Sequence, residues 1–105
     1  MKPFNIIYKK FLFAENLARH KHYGKNRIRK EMFAKGFPED VIREALELTE
    51  IDFAEICVAR IRSMGGIGIF HHTEEKNKAI SALMRYGFSI HEIRDAKALL
   101  LNEDE

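Results

Sequence analysis

The chain has 105 residues, of which 46% are hydrophobic and 32% are charged. This balance is typical of a globular protein, and it excludes both a disordered chain and a bundle of membrane-spanning helices. The single cysteine, Cys57, cannot form an internal disulfide, so we expect it to be a small core residue of a cytoplasmic protein.

Charge is distributed unevenly along the chain. Residues 1–35 carry ten Lys or Arg against two acidic residues, a net charge of +8, whereas residues 36–105 carry eight against fourteen, a net charge of −6. A basic segment of this kind attracts polyanions, either nucleic acid or an acidic protein surface. The closing sequence NEDE, residues 102–105, is predicted to be a solvated acidic tail.

Hydrophobic spacing predicts three helices in the first half of the chain. The first has apolar residues at steps of three or four, namely Ile7, Phe11, Ala14 and Ala18, and is predicted to end at Gly24. The second covers about residues 26–35 and is expected to bury Phe33 together with Ile28 and Met32. It ends at Gly36 in the left-handed conformation, after which Pro38 starts the third helix.

The same pattern restarts in the second half. A fourth helix carries apolar residues from Ile51 to Ile61, and a fifth opens at Thr73 and ends at Gly87. Ser89 and Glu92 form the Ser-x-x-Glu capping box of a sixth helix. The segment between the fourth and fifth helices, MGGIGIFHHTEEK, is an insertion that we predict to be a flexible surface loop near residues 64–74.

Residues 81–99 repeat residues 30–48. Six identities share one ungapped offset of 51, among them the pairs Gly36 with Gly87 and Phe37 with Phe88. A unit of about 50 residues is only marginally stable alone, so the two units should pack together. The sequence therefore predicts an all-α fold of two tandem three-helix repeats, residues 1–50 and 51–101, stacked into an elongated, curved array of right-handed type.

Motifs for metal binding and catalysis are not fulfilled. His20 with His22, and His71 with His72, lack the spaced ligands of a zinc site, so we predict no metal. The run GGIGIF lacks the Gly-Lys-Ser/Thr ending of a phosphate-binding loop, so we predict no nucleotide or other cofactor. No Ser, His and acid form a recognisable nucleophile pattern, and the protein is predicted not to be an enzyme.

The order and spacing of these residues resemble the RecX family. The run FAENLARHKHYGKNRIRKEMFAKGFPEDVIREAL is similar to the second three-helix repeat of that family, and ALMRYGFSIHEI is similar to the third. By position, the resemblance implies mostly scaffold roles for the residues that carry the motif: Gly24, Ile28, Gly36, Phe37, Gly87, Phe88, Ser89 and Ile93.

The resemblance also implies a function. RecX proteins are bacterial regulators that bind the groove of the RecA filament on single-stranded DNA and inhibit its recombinase, ATPase and coprotease activities, which modulates DNA repair and the SOS response. We expect a cytoplasmic monomer without membrane contact, and direct contact with DNA is a further expectation. The predicted contact residues are Arg19, Lys21, Tyr23, Lys25, Arg27, Arg29, Lys30, Arg85 and Arg94.

Other interpretations of the basic segment remain open. The chain fits a stand-alone helical nucleic-acid-binding module, in which case it would bind DNA alone in a salt-dependent way. It also fits a helical adaptor for an acidic protein surface, which would bind a protein partner in the absence of DNA. Finally, a cationic stretch on a small helical protein is often a solvated face without a partner.

Overall fold

The computed structural model describes the backbone of residues 3–103 and the side chains of residues 9–103. The regular structure of this part is entirely helical, which confirms the predicted all-α class. A short 3₁₀ helix, Ile67–Phe70, lies between the fourth and fifth of six α-helices. The α-helices are α1 (Pro3–Lys21), α2 (Lys25–Lys35), α3 (Glu39–Leu48), α4 (Phe53–Ser63), α5 (Thr73–Arg85) and α6 (Ile90–Glu103). The molecule is elongated and measures 53 × 26 × 19 Å.

Helices α1, α2 and α3 pack on one another in the first half of the molecule. Their buried residues include Ala14, Ala18, Ile28, Met32, Ile42 and Ala45. The ammonium of Lys10, buried on α1, lies 2.9 Å from the carboxylate of Glu44 on α3. The prediction that Phe33 is buried is wrong, because its side chain is 72% exposed. Met32, the preceding residue on α2, takes the core position, and successive side chains of a helix point about 100° apart.

In the second half, α4 packs mainly against α6, and α5 packs against the 3₁₀ helix and α6. The buried residues here include Phe53, Ile56, Cys57, Ile61, Leu83, Phe88, Ile93 and Ala96. The insertion near residues 64–74 was predicted to be a flexible loop, but it contains the 3₁₀ helix. Its apolar residues Ile67, Ile69 and Phe70 are partly buried against the core, which removes them from water.

The duplication is visible in the backbone hydrogen bonds that end α2 and α5. Gly36 has φ 101° and Gly87 has φ 104°, the left-handed conformation that glycine adopts with little strain. The amide of Phe37 donates to the carbonyl of Met32 at 3.1 Å, and the amide of Phe88 donates to that of Leu83 at 3.1 Å. All three pairs of residues differ by the offset of 51, so the two units share one type of helix ending.

The sequence predicted the start of α6 correctly and the end of α1 incorrectly. At α6, the amide of Ser89 donates to the carboxylate of Glu92 at 2.8 Å, and the amide of Glu92 donates to the hydroxyl of Ser89 at 3.1 Å. At α1, the predicted end at Gly24 is wrong: the helix ends at Lys21, and His22 turns the chain with φ 54°. Gly24 instead caps the start of α2.

Helix α6 includes residues 102 and 103 of the predicted acidic tail, and the last two tail residues lie outside the described part. Within residues 3–103, none of the helices combines the length and apolar character needed to cross a bilayer.

Candidate nucleic-acid and partner interface

Backbone hydrogen bonds join the two halves of the molecule where α2 begins and α5 ends. The amide of Gly24 donates to the carbonyl of Tyr86 at 2.8 Å, and the amide of Asn26 donates to the carbonyl of Gly87 at 3.1 Å. The first amides of a helix and the last carbonyls of a helix have no partner within their own helix. Each helix end therefore satisfies the other, and we call this contact the interhelix junction.

Two glycines make the interhelix junction possible. A Cβ atom on Gly24 would lie 2.4 Å from the carbonyl carbon and oxygen of Gly87. A Cβ atom on Gly87 would lie 2.4 Å from the backbone nitrogen of Arg27. Because backbone atoms cannot move aside as a flexible side chain does, only residues without a Cβ allow this approach.

Four side chains form an Arg–Tyr stack beside the interhelix junction: Arg27, Tyr23, Tyr86 and Arg60. The guanidinium of Arg27 lies 4.6 Å from the ring centroid of Tyr23, and that of Arg60 lies 3.9 Å from the ring centroid of Tyr86. The two rings are stacked with centroids 6.3 Å apart. The ring contact between Tyr23 and Tyr86 joins the two units. Each cation–π contact lies within one unit, contributes roughly 0.5–2 kcal/mol and helps to hold its tyrosine ring in place.

Arginine side chains also bond the backbone across the interhelix junction. Arg60 donates to the carbonyl of Lys21 at 2.7 Å, at the end of α1, and Arg27 donates to the carbonyl of Arg85 at 3.4 Å. Lys25 lies 5.6 Å over the ring of Phe53 on α4. The structure thus brings the predicted contact residues Tyr23, Lys25 and Arg27 into contact with the second unit.

Sequence reasoning missed the contributions of Arg60 and Tyr86. Arg60 lies on α4, and a signal for it was present, because the segments FAENLAR and FAEICVAR both end in Ala-Arg. This sequence similarity places Arg60 at the position equivalent to Arg19, which was predicted to be a contact residue because of its charge. Tyr86 precedes the repeated Gly-Phe pair, but the residue one repeat earlier is Lys35, so the duplication gave no indication of an aromatic contact.

The remaining cations of the first unit that were predicted as contact residues face solvent. Arg19 and Lys21 are exposed at the end of α1, and Arg29 and Lys30 are exposed on α2. Arg19 forms a 2.9 Å ion pair with Glu15 one turn earlier. Surface ion pairs contribute little, about 0–1 kcal/mol, so Arg19 is available to a stronger anionic ligand. These four residues are the α1–α2 basic surface.

The two cations predicted in the second unit lie in different surroundings. Arg85 is exposed near the end of α5, where its backbone carbonyl accepts the bond from Arg27. Arg94 is exposed on α6 and lines a groove between α5 and α6. None of the other predicted contact residues belongs to the lining of this groove. The structure therefore joins Arg85 to the interhelix junction and separates Arg94 from it.

The histidine pairs lie on the surface or in the turn after α1. His20, His71 and His72 are exposed, and His22 is half-buried in the turn. Among the residues that the structure describes, no group of three or more His, Cys, Asp and Glu is arranged to hold a metal ion.

Cys57 is enclosed by the core of the second unit and has no exposed surface. Burial, reinforced by the negative charge of Glu92, raises the pKa of the Cys57 thiol from 9.0 to about 12. A thiol attacks disulfides as the thiolate, so this residue is inert in the folded protein near neutral pH.

Native Cys57 is expected to react with a disulfide reagent such as DTNB far more slowly than an exposed thiol introduced by Ser81→Cys. At pH 8 its raised pKa lowers the thiolate fraction roughly a thousandfold, and burial blocks access besides. The raised pKa of Cys57 also makes the stability of the fold depend on pH. The stabilisation from this protonated thiol is complete below pH 9 and declines as the pH rises above 9, because the thiol of the unfolded chain ionises first. Equal labelling rates of the two thiols in native buffer would contradict the assignment.

The first unit matches a known protein family. Residues 12–46 match the family model described as RecX, second three-helix domain. Over these residues the chain is similar to the second three-helix domain of RecX. The match confirms the resemblance over these residues, which span most of α1, all of α2 and most of α3. The matched segment includes the α1–α2 basic surface and the α2 side of the interhelix junction. No curated protein and no solved structure matched the chain.

Proposed function

We propose that this protein is a RecX-like regulator that binds the RecA filament on single-stranded DNA and limits its recombinase, ATPase and coprotease activities. It would thereby modulate DNA repair and the SOS response as a cytoplasmic binding protein, not as an enzyme. The RecX match over residues 12–46 carries the proposal, since this segment holds seven of the nine predicted contact residues. These are Arg19, Lys21, Tyr23, Lys25, Arg27, Arg29 and Lys30.

The shape and charge of the molecule support this function. A nucleoprotein filament is a repeating lattice with a dense negative charge, and exposed Lys and Arg side chains gain affinity by displacing its condensed counterions. An elongated helical body 53 Å long is suited to contact neighbouring subunits of such a lattice. Bridging of neighbouring subunits stabilises one filament geometry and obstructs the next addition.

The deciding experiment is a titration of the protein into RecA filaments assembled on single-stranded DNA, with ATPase activity as the readout. A parallel titration measures binding to the same DNA without RecA. Loss of ATPase activity at concentrations that leave the bare DNA unbound would support the regulator. Equal affinity for bare DNA would favour a stand-alone nucleic-acid-binding module, and binding to RecA without DNA would favour a protein adaptor.

Charge reversal of Arg29 and Lys30 is expected to weaken filament binding about tenfold or more near physiological salt. Both side chains are exposed, so the double variant Arg29→Glu/Lys30→Glu should fold normally. Removal of two phosphate contacts reduces the magnitude of the slope of log affinity against log salt by about 1.4, at roughly 0.7 per contact on single-stranded DNA. Arg27 is left unchanged because it belongs to the Arg–Tyr stack. Anisotropy of labelled filaments at several salt concentrations measures both quantities.

The matched control is Arg43→Glu/Lys78→Glu, which makes the same change of net charge at two exposed residues outside the α1–α2 basic surface. The control should retain most of the affinity, with a salt slope close to that of the native protein. The same loss in both double variants would show that net charge matters and this surface does not.

A further inference from the structure

An apolar groove of about 350 Å³ lies between α5 and α6, away from the α1–α2 basic surface. It is lined by the cations Arg94 and Lys97, by the buried core residue Ile93 and by four less buried apolar residues, Ile80, Ile90, Ala98 and Leu101. Ile90 is 45% exposed and Leu101 is 54% exposed. A contiguous exposed apolar patch with a polar rim is typical of a protein interaction site.

The first unit shows that the three-helix fold does not require these apolar residues. At the offset of 51, the four positions of the first unit carry exposed charged side chains: Arg29, Glu39, Glu47 and Glu50. Core positions of the two units, by contrast, remain apolar in both, as Ile42 and Ile93 do. Ile80 is partly buried against the core, but Ile90, Ala98 and Leu101 are exposed and are therefore available for a contact outside the unit.

The charges at the groove indicate the kind of ligand. Arg94 and Lys97 both lie on α6, and no residue of the lining is acidic. Among the side chains that the structure describes, neither cation is in an ion pair, although the Lys97 ammonium lies 4.7 Å over the ring of Phe70. An apolar floor with a cationic rim is complementary to an apolar stripe with flanking carboxylates.

We propose that the α5–α6 groove binds an amphipathic α-helix of a protein partner, whose apolar stripe is flanked by Asp or Glu. Two packed helices form ridges and grooves that accept the side chains of a third helix at a spacing of three and four residues. The apolar residues of α6 follow this spacing, since Ile90, Ala98 and Leu101 lie on one side of it with Arg94. This surface is independent of the α1–α2 basic surface and does not require the proposed regulation of RecA.

The test uses a fluorescein-labelled synthetic peptide of about 16 residues, long enough to form a helix on binding. The peptide has Leu at positions i, i+4, i+7 and i+11, Glu beside this stripe and Ala elsewhere, and a companion peptide replaces each Glu with Lys. Fluorescence anisotropy with the full chain should show binding of the Glu peptide about tenfold tighter or more than the Lys peptide. Equal binding of the two peptides, or none, would overturn the proposal.

Two matched pairs of variants place the peptide in the groove. Leu101→Gln should weaken the Glu peptide about tenfold, since it removes one apolar anchor. Met84→Gln should not, because Met84 is equally exposed at 54% but lies outside the lining. Arg94→Glu should weaken the Glu peptide, and Arg43→Glu, at the equivalent position of the first unit, should leave its affinity unchanged. Equal effects within either pair would overturn the proposal.

Two other ligands of the groove, single-stranded DNA and a second copy of the chain, would each give a different experimental result. If single-stranded DNA displaces the Glu peptide from the native protein but not from Arg94→Glu, the groove is a polyanion site and the proposal fails. If sedimentation shows a dimer that Leu101→Gln dissociates, the occupant is a second copy of the chain, and the proposal fails as well. A monomer whose peptide affinity is unaffected by DNA supports it, whatever the outcome of the RecA titration.

Discussion

Replacement of Gly87 by alanine is expected to destabilise the protein far more than replacement of Gly36 by alanine. The two glycines occupy equivalent positions of the repeat and have nearly the same φ, 104° and 101°. Left-handed backbone costs a residue with a side chain about 1–2 kcal/mol, and this cost is common to both variants. Only Gly87 also has backbone in the way, because its Cβ would lie 2.4 Å from the nitrogen of Arg27, whereas nothing lies within 4 Å at Gly36.

We therefore expect Gly36→Ala to lower the free energy of unfolding by about 1–2 kcal/mol and Gly87→Ala to lower it by roughly 4 kcal/mol or more, a loss usually seen only for severe steric or core changes. Urea unfolding followed by circular dichroism at 222 nm measures both values. The chain has no tryptophan, so helical ellipticity is the practical probe. Equal losses at Gly36 and Gly87 would show that the interhelix junction adjusts without cost.

Gly24→Ala separates steric exclusion from backbone strain. Gly24 has φ −82°, which any residue adopts, so the expected loss comes entirely from contact with the backbone of Gly87. Gly24→Ala should be nearly as destabilising as Gly87→Ala. If instead it is neutral, strain at Gly87 accounts for the effect there, and close approach of the two units does not.

The sequence was sufficient for the helices and for the repeat, since both follow from local periodicity. Apolar spacing located six helices, and the offset of 51 identified the equivalent endings at Gly36 and Gly87. The capping box of Ser89 and Glu92 was predictable for the same reason, because its partners are three residues apart. Helices and capping boxes are formed by residues that are close in the sequence, and they therefore produce a recognisable sequence pattern.

The interhelix junction could not be predicted, because its partners are far apart in the chain and bond through the backbone. Any residue except proline supplies the amide and any residue supplies the carbonyl, so these bonds leave no preference for residue type. Gly24 was selected as a motif residue and as the end of α1, and its contact with Gly87 had no signature beyond glycine itself. Similarly, Arg27 was selected for its charge, and its hydrogen bond to the backbone carbonyl of Arg85, 58 residues later, followed only from the fold.

The two units combine one fold with two different surfaces. In the first unit the exposed positions of α2 carry cations such as Arg29 and Lys30, suited to a polyanion. In the second unit, Ile80 replaces Arg29 at the equivalent position, and the exposed side of α6 is apolar around Arg94. Because the interhelix junction and the Arg–Tyr stack join the units, a helix bound in the proposed α5–α6 site would be held at a defined distance from a polyanion bound at the α1–α2 basic surface.

Replacement of Phe88 by alanine is expected to cost about 3–5 kcal/mol, the range observed when a fully buried phenylalanine is truncated. Phe88 is 1% exposed and belongs to the core of the second unit. Its repeat equivalent, Phe37, is half-buried and makes a ring contact with Phe13 at 5.5 Å. Phe37→Ala should therefore cost less, about 1–2 kcal/mol, in line with the smaller apolar area that it removes from water.

Phe88 also follows Gly87 directly, so its truncation tests whether core packing holds the end of α5 against α2. Unfolding in urea gives the two free energies, and amide hydrogen exchange at Gly24 and Asn26 reports on their bonds to Tyr86 and Gly87. We expect faster exchange at these two amides in Phe88→Ala and unchanged exchange in Phe37→Ala, under conditions where both variants remain folded. Equal free-energy losses with unchanged exchange would mean that the interhelix junction is maintained by its own hydrogen bonds and by the Arg–Tyr stack, without support from the core of the second unit.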